Sequence, residues 1–207
     1  DAANQTEVDL AILNMMPDAK EKLGGNAVAA TSAAVLKAGA NALGIPLYRH
    51  IGGAGAMYLP VPGVAMAAGD ERYGGGITTP GGKPTMSVMA FGFNSFSDAS
   101  YACWDVHTRW AEKMKTKFGG LPNVRDFISI PEGVYSCDCE IWEDMLKTIA
   151  EAGYEGKMGF QMDVATDTYH NKEDDKYYGL FDKTSKTKEQ LYDFYLKIIN
   201  DYPFVII

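Results

Sequence analysis

The chain has 207 residues, 46% of them apolar, enough to bury a substantial core and to build one large domain or two small ones. With 19 Lys and Arg against 27 Asp and Glu the formal charge is −8, which argues against a phosphate-backbone binder and so against nucleic acid as the main partner. No apolar run approaches the roughly 20 residues that span a bilayer, and DAANQTEVDL at the start has no basic region followed by an apolar one, so neither a membrane span nor a signal peptide is expected.

The three cysteines, Cys103, Cys137 and Cys139, lack the spacing of a disulfide scaffold, and a reducing, cytoplasmic setting is expected. Both ends look cut: the chain opens without methionine and closes on the apolar Phe204-Val205-Ile206-Ile207, whereas natural termini are usually polar and loosely held.

Residues 26–44 give the clearest helix, with Asn26 as the expected cap, eight alanines between Ala27 and Ala42, and Gly44 and Pro46 ending it. Gly52, Gly53 and Gly55 and the run Leu59-Pro60-Val61-Pro62 then mark loop and short strand, and a domain boundary is expected near residue 56. Residues 69–82 hold six glycines and one proline, a composition that supports no regular element and reads as a long mobile loop, either a lid or a surface insertion.

A strand over Ser87–Phe91 leads to a helix starting near Ser95 or Ser97, where Cys103, Val106, Trp110, Met114 and Phe118 recur at helical spacing. His107 beside this stripe reads as an ordinary surface or core-edge residue rather than a ligand. A third helix is expected from a cap at Asp138 through Ile141, Trp142, Met145, Leu146 and Ile149 to Gly153. Cys137 and Cys139 at its start have no second pair at zinc spacing, so they read as structural.

Met158, Phe160, Met162 and Val164 alternate with Gly159, Gln161, Asp163 and Ala165, a strand with two different faces. After the charged run Lys172–Lys176, read as a solvated loop, Tyr177–Phe181 reads as a hairpin arm, and Thr187 with Gln190 resembles a capping box. Leu191, Phe194, Tyr195, Ile198 and Ile199 form the apolar face of a fourth helix, and the chain re-enters a strand at Phe204. Strand, helix and strand make a parallel crossover, as in a doubly wound sheet or an α/β barrel. No Gly-x-Gly-x-x-Gly opens a helix after a strand, which disfavours a dinucleotide fold.

In a parallel barrel, catalytic groups stand at the C-terminal ends of strands, where the loops surround an open mouth. Asp163 is placed for this, as a metal ligand or catalytic acid on one view and a satisfied structural aspartate on the other. Glu132, in the turn Pro131-Glu132-Gly133, is either a second carboxylate at the mouth or part of a plain surface turn.

Leu23-Gly24-Gly25-Asn26-Ala27-Val28, Lys37-Ala38-Gly39-Ala40, Gly44-Ile45-Pro46-Leu47-Tyr48-Arg49-His50, Ala152-Gly153-Tyr154, Met162-Asp163-Val164-Ala165 and Tyr202-Pro203-Phe204-Val205-Ile206-Ile207 together resemble the enolases along the whole chain. The resemblance implies an α/β chain, with residues 1–56 the end of an α+β N-terminal domain and residues 57–207 the first part of an enolase-type (β/α)8 barrel whose first two strands run antiparallel. It further implies dehydration of 2-phosphoglycerate to phosphoenolpyruvate in glycolysis with Mg²⁺, a lysine base removing the proton next to the carboxylate, and a cytoplasmic homodimer with no membrane or nucleic-acid partner. Asp163 corresponds to the first magnesium ligand and Glu132 to the acid that helps expel the hydroxyl, while the later metal acids and the lysines belong to strands beyond Ile207. By this correspondence the fragment alone is expected to be inactive.

Two departures accompany the match. Arg72 stands where the family has a substrate-loop histidine, and could hold a phosphate or carboxylate through its guanidinium fork or be an exposed loop residue. Pro84-Thr85-Met86 replaces the usual Gln-Glu-Phe, removing an acid. These departures keep two rivals open: a non-catalytic enolase-like binding or scaffold protein, and a dehydratase of another 2-hydroxy acid.

Overall fold

The computed structural model describes residues 1, 3–67, 85–118, 123–124, 127–128, 130, 134–178 and 184–207. Arg72, Glu132 and the glycine-rich segment 69–82 lie outside the described residues. The chain forms two compact units, Asp1–Leu59 and Pro60–Ile207.

The first unit consists of helices α1 (Gln5–Met15), α2 (Ala19–Leu23), α3 (Gly25–Ala42) and α4 (Leu47–Gly52). Asn4 caps α1, its side chain accepting from the Glu7 amide. Polar contacts tie α1 to α3: Gln5 Nε2 donates to Ser32 Oγ at 2.8 Å, and Ser32 Oγ donates to Asp9 Oδ1 at 2.7 Å. The expected Asn26 cap is corrected, because α3 starts at Gly25 with Gly24 as the capping residue and no side-chain cap bond. Gly24 has φ +86, left-handed backbone that favours glycine, so the chain turns into the helix before Asn26 is reached.

The second unit contains β1 (Gly63–Ala67), β2 (Thr85–Met89), α5 (Phe96–Phe118), β3 (Asn123–Val124), β4 (Phe127–Ile128), α6 (Asp138–Glu151), β5 (Gly159–Asp163), β6 (His170–Asn171), β7 (Lys176–Tyr178), β8 (Ser185–Lys186), α7 (Lys188–Asp201) and β9 (Phe204–Ile206). Its main sheet has the order β1-β2-β5-β9. The β1–β2 and β2–β5 pairs are antiparallel and β5–β9 is parallel, so β5, α7 and β9 form the expected crossover. β3–β4 is a separate small pair, and β6-β7-β8 a three-stranded sheet.

Local chemistry sets the helix ends. Ser95 precedes α5, accepting from the Asp98 amide at 3.1 Å and donating to the Asp98 carboxylate at 2.7 Å. Thr187 and Gln190 make a reciprocal capping box at α7. At α6 the residue before the first turn is Cys137, not the expected Asp138, which is already helical and buried.

Ala102, Val106, Trp110 and Met114 of α5 and Ile141, Trp142, Met145 and Ile149 of α6 pack on Met86, Val88, Phe160 and Met162 of the sheet. Trp110 is fully buried, and its indole N–H donates to the Met66 carbonyl at 2.7 Å. Two expectations of burial or extent shift: Ile199 on α7 is 47% exposed, since Leu191 and Ile198 carry the contact, and β2 runs from Thr85 to Met89 rather than from Ser87. Cys137 and Cys139, expected as thiols, are joined in a disulfide, while Cys103 is a buried free thiol. No single helix among the described residues is long and apolar enough to cross a membrane.

Candidate active site

Successive side chains of a strand point to opposite faces, and the register of β2 on β5 sorts the two faces by polarity. Met86 lies opposite Met162 and Val88 opposite Phe160, all buried on the side covered by helices. Thr85 lies opposite Asp163 and Ser87 opposite Gln161, which makes a polar ladder on the other side. Asp163, the last residue of β5, is exposed, whereas Thr85 is a buried polar residue at 9% exposure. The ladder therefore ends, at the C-terminal end of β5, in a carboxylate beside a hydroxyl.

The backbone breaks sharply just past this point. Ala165, two residues after Asp163, adopts φ +37 and ψ +57, the left-handed region that costs an alanine about 1 kcal/mol. Its carbonyl accepts from both the amide (2.9 Å) and the hydroxyl (2.8 Å) of Thr168, which fixes the turn that follows Asp163. Strained backbone supported by such bonds is frequent where a loop must present a functional group.

Ile130 (1% exposed) and Tyr135 (4% exposed) are both buried. Tyr135 donates its hydroxyl to Asp144 Oδ2 at 2.8 Å on α6, and Lys117 Nζ donates to the same oxygen at 2.7 Å while lying 4.1 Å from the Tyr135 ring centroid. Burial pushes the Asp144 carboxyl upward, but these two donors and the Lys117 charge outweigh it and hold the pKa below its ordinary value. Burial first, and then the Asp144 contact, drive the Tyr135 hydroxyl well above the ordinary tyrosine range. Next along the chain, Ser136 donates through its amide (2.9 Å) and hydroxyl (2.6 Å) to Glu140, whose pKa is lowered by those bonds.

A cavity of about 20 Å³ lies under the start of α6, lined among others by Asp138, Trp142, Tyr169 and Tyr195. The Tyr169 and Tyr195 hydroxyls share a 2.5 Å hydrogen bond. Burial pushes Tyr169 up to about 12 and Tyr195 higher still, with the Asp138 charge adding to both.

Of the three residues singled out from sequence, only Asp163 is among those described, and no second candidate can be set beside it. Among the described residues no group of three or more His, Cys, Asp or Glu comes together to hold a metal ion. Thr85 as the cross-strand neighbour of Asp163 and Tyr135 as the donor to Asp144 were not read from sequence. The alternation of β2 was available, but the register that pairs Thr85 with Asp163 joins strands far apart in the chain.

Residues 56–207 match the family model of the enolase C-terminal TIM barrel domain, and residues 1–51 match that of the enolase N-terminal domain. An enolase of Methanococcus aeolicus is 30% identical over 213 residues, covering 100% of this chain and 48% of the relative. An enolase of Bifidobacterium longum is 34% identical over 215 residues, covering 100% of this chain and 47% of the relative. The chain thus spans about half the length of the curated relatives it matches. With both family models matched in order and relatives aligned from end to end, this chain belongs to the enolase family.

Proposed function

We propose that the full-length protein is a lyase that dehydrates 2-phosphoglycerate to phosphoenolpyruvate with Mg²⁺, as a cytoplasmic homodimer in glycolysis. The observation that carries this is the exposed carboxylate of Asp163 at the end of β5, in the sequence Met162-Asp163-Val164-Ala165 and just ahead of the left-handed Ala165. Mg²⁺ prefers hard oxygen ligands and commonly takes one or two carboxylates plus water and substrate oxygens. One acid at this strand end fits such an ion as a partial ligand set, and further ligands are assigned to strands outside this chain. Bound there, Mg²⁺ would supply Lewis-acid stabilisation of negative charge developing on the substrate carboxylate.

In this proposal Asp163 holds the metal, Glu132 donates a proton to the departing hydroxyl, and Arg72 pairs with the anionic phosphate or carboxylate. The base is not assigned to this chain. One observation favours a second reading: Thr85 stands where the family resemblance leads one to expect an acid, and it lies opposite Asp163. A neutral hydroxyl there lowers the local negative charge and supports a dehydratase of another 2-hydroxy acid, or a binding protein without catalysis.

The test uses the full-length gene product. Formation of phosphoenolpyruvate, followed by its absorbance and dependent on Mg²⁺, supports the first reading; absence of product at saturating metal sinks it and leaves the second. Asp163→Asn should weaken Mg²⁺ binding by about tenfold or more, and unchanged affinity removes Asp163 from the metal site.

A further inference from the structure

We infer that Cys137 and Cys139 form a reversible thiol–disulfide site that sets the start of α6, a site that takes small thiols and disulfides of the glutathione class. This does not rest on the enolase reaction and stands or falls separately from it.

The two cysteines flank Asp138 and are bonded with their Cα atoms 5.4 Å apart. A bridge across a single residue closes a very short loop, so it gains little from restricting the unfolded chain and is poorly protected against reduction. Both residues are half-buried rather than enclosed, Cys137 just before the first turn of α6 and Cys139 within it. Cys103, by contrast, is buried, and burial pushes its thiol upward, so it is an inert internal reference.

The bridge joins the residue before the helix to its first turn. Cys137 is extended, at φ −145 and ψ 161, and makes no side-chain cap bond, so the disulfide acts at this junction beside the Ser136–Glu140 and Tyr135–Asp144 hydrogen bonds. Asp138, between the two cysteines in the chain, is 7% exposed and lines the cavity with Trp142, Tyr169 and Tyr195. Trp142 Nε1 is buried without a hydrogen-bond partner among the described residues. Opening the bridge releases the covalent tether that flanks Asp138 and lets Asp138 shift relative to these rings.

The chemistry balances with two small thiols. The thiolate of the first attacks one sulfur, breaking the Cys137–Cys139 bond and forming a mixed disulfide, and the thiolate of the second displaces the protein sulfur. The protein gains two electrons and two protons as paired thiols, and the small molecule leaves as its own disulfide. Oxidised glutathione drives the reverse.

The chain, purified without reductant and equilibrated across a series of reduced-to-oxidised glutathione ratios, is denatured, alkylated and weighed. The oxidised end should carry one alkyl group, on Cys103, and the reduced end three, with a reversible transition between them. Three groups at every ratio means that no bridge forms, and one group at every ratio means a locked structural disulfide; either overturns the proposal. Cys103→Ala should shift both counts down by one, and failure to do so shows that Cys103 is a bridge partner and overturns the pairing.

Hydrogen exchange tests the link to α6. Amides from Glu140 to Trp142 should exchange about tenfold faster in the reduced chain, with the end of α6 unchanged. The Cys137→Ser/Cys139→Ser double variant should match the reduced chain; equal exchange in all three forms overturns control of the helix start.

Discussion

The two faces of the main sheet are built from alternate residues of the same strands, yet they do different work. On one, Met86, Val88, Phe160 and Met162 are buried under α5 and α6, and the Phe204 ring meets Trp142 and Phe160 edge-on at 5.4 and 5.5 Å between centroids. On the other, Thr85, Ser87, Gln161 and Asp163 form the polar ladder. Stability and candidate chemistry are therefore separated by a single step along the chain, and a one-residue slip of register would exchange them. That makes register the quantity the molecule must protect.

The largest effects should fall on the helix-covered face. Trp110→Ala should cost about 3–5 kcal/mol, removing a large buried ring and the partner of the Met66 carbonyl. Phe160→Ala should fall in the same range of about 3–5 kcal/mol. Its neighbour Gln161→Ala should stay within about 0.5 kcal/mol. Urea denaturation of the three variants measures the contrast, and a Gln161 cost equal to that of Phe160 breaks the division between the faces.

Register itself is tested next. A Cβ placed on Gly159 would come 2.7 Å from the Pro203 carbonyl and 2.8 Å from Val205 Cγ1, so β9 can approach β5 this closely only at a glycine. The Phe160 amide donates to that same carbonyl at 2.8 Å. Gly159→Ala should cost about 1–3 kcal/mol and speed exchange of the Phe160 amide. An unaffected Phe160 amide would show that β9 does not need the glycine to hold its place.

How much of this could be read from the amino acids depends on the range of the interaction that decides it. The stripe from Cys103 to Met114 and the box of Thr187 and Gln190 were legible because each is settled within a few residues. The starts of α3 and α6 were misread because a polar residue looked like a cap, while Gly24 and Cys137 took that position. The alternation around Asp163 was legible, and its burial pattern follows it. Thr85 opposite Asp163, Tyr135 on Asp144 and the Cys137–Cys139 bond were not, since each depends on three-dimensional placement that periodicity does not encode.

Behind the helix-covered face, the tyrosine pair gives a pH-dependent test. Tyr169 is pushed up to about 12 and Tyr195 is raised further, so the folded state favours their neutral forms. For a raised pKa the contribution is intact below the unfolded value of about 10 and is lost as pH rises beyond it. Stability should fall above about pH 10 by roughly 1.4 kcal/mol per pH unit for each of the two tyrosines, and a Tyr169→Phe/Tyr195→Phe double variant should make that slope shallower. An equal slope in the variant would place the alkaline loss elsewhere.

The smallest effect belongs to Asp144 of α6, which accepts the hydrogen bond of Tyr135 just ahead of that helix. Its lowered carboxyl works in the opposite sense: the contribution is present above the unfolded value of about 4 and disappears as pH falls through the lower folded value. Lys117 and Asp144 are both partly solvent-exposed, so screening limits the pair to about 0.5–1 kcal/mol. Asp144→Asn keeps an oxygen for the Tyr135 hydroxyl while removing the charge that Lys117 meets. The variant should be less stable than the parent at pH 7 and indistinguishable from it near pH 2, as read by urea midpoints. A difference that persists at pH 2 would mean that the carboxylate acts through packing around Tyr135 rather than through its charge.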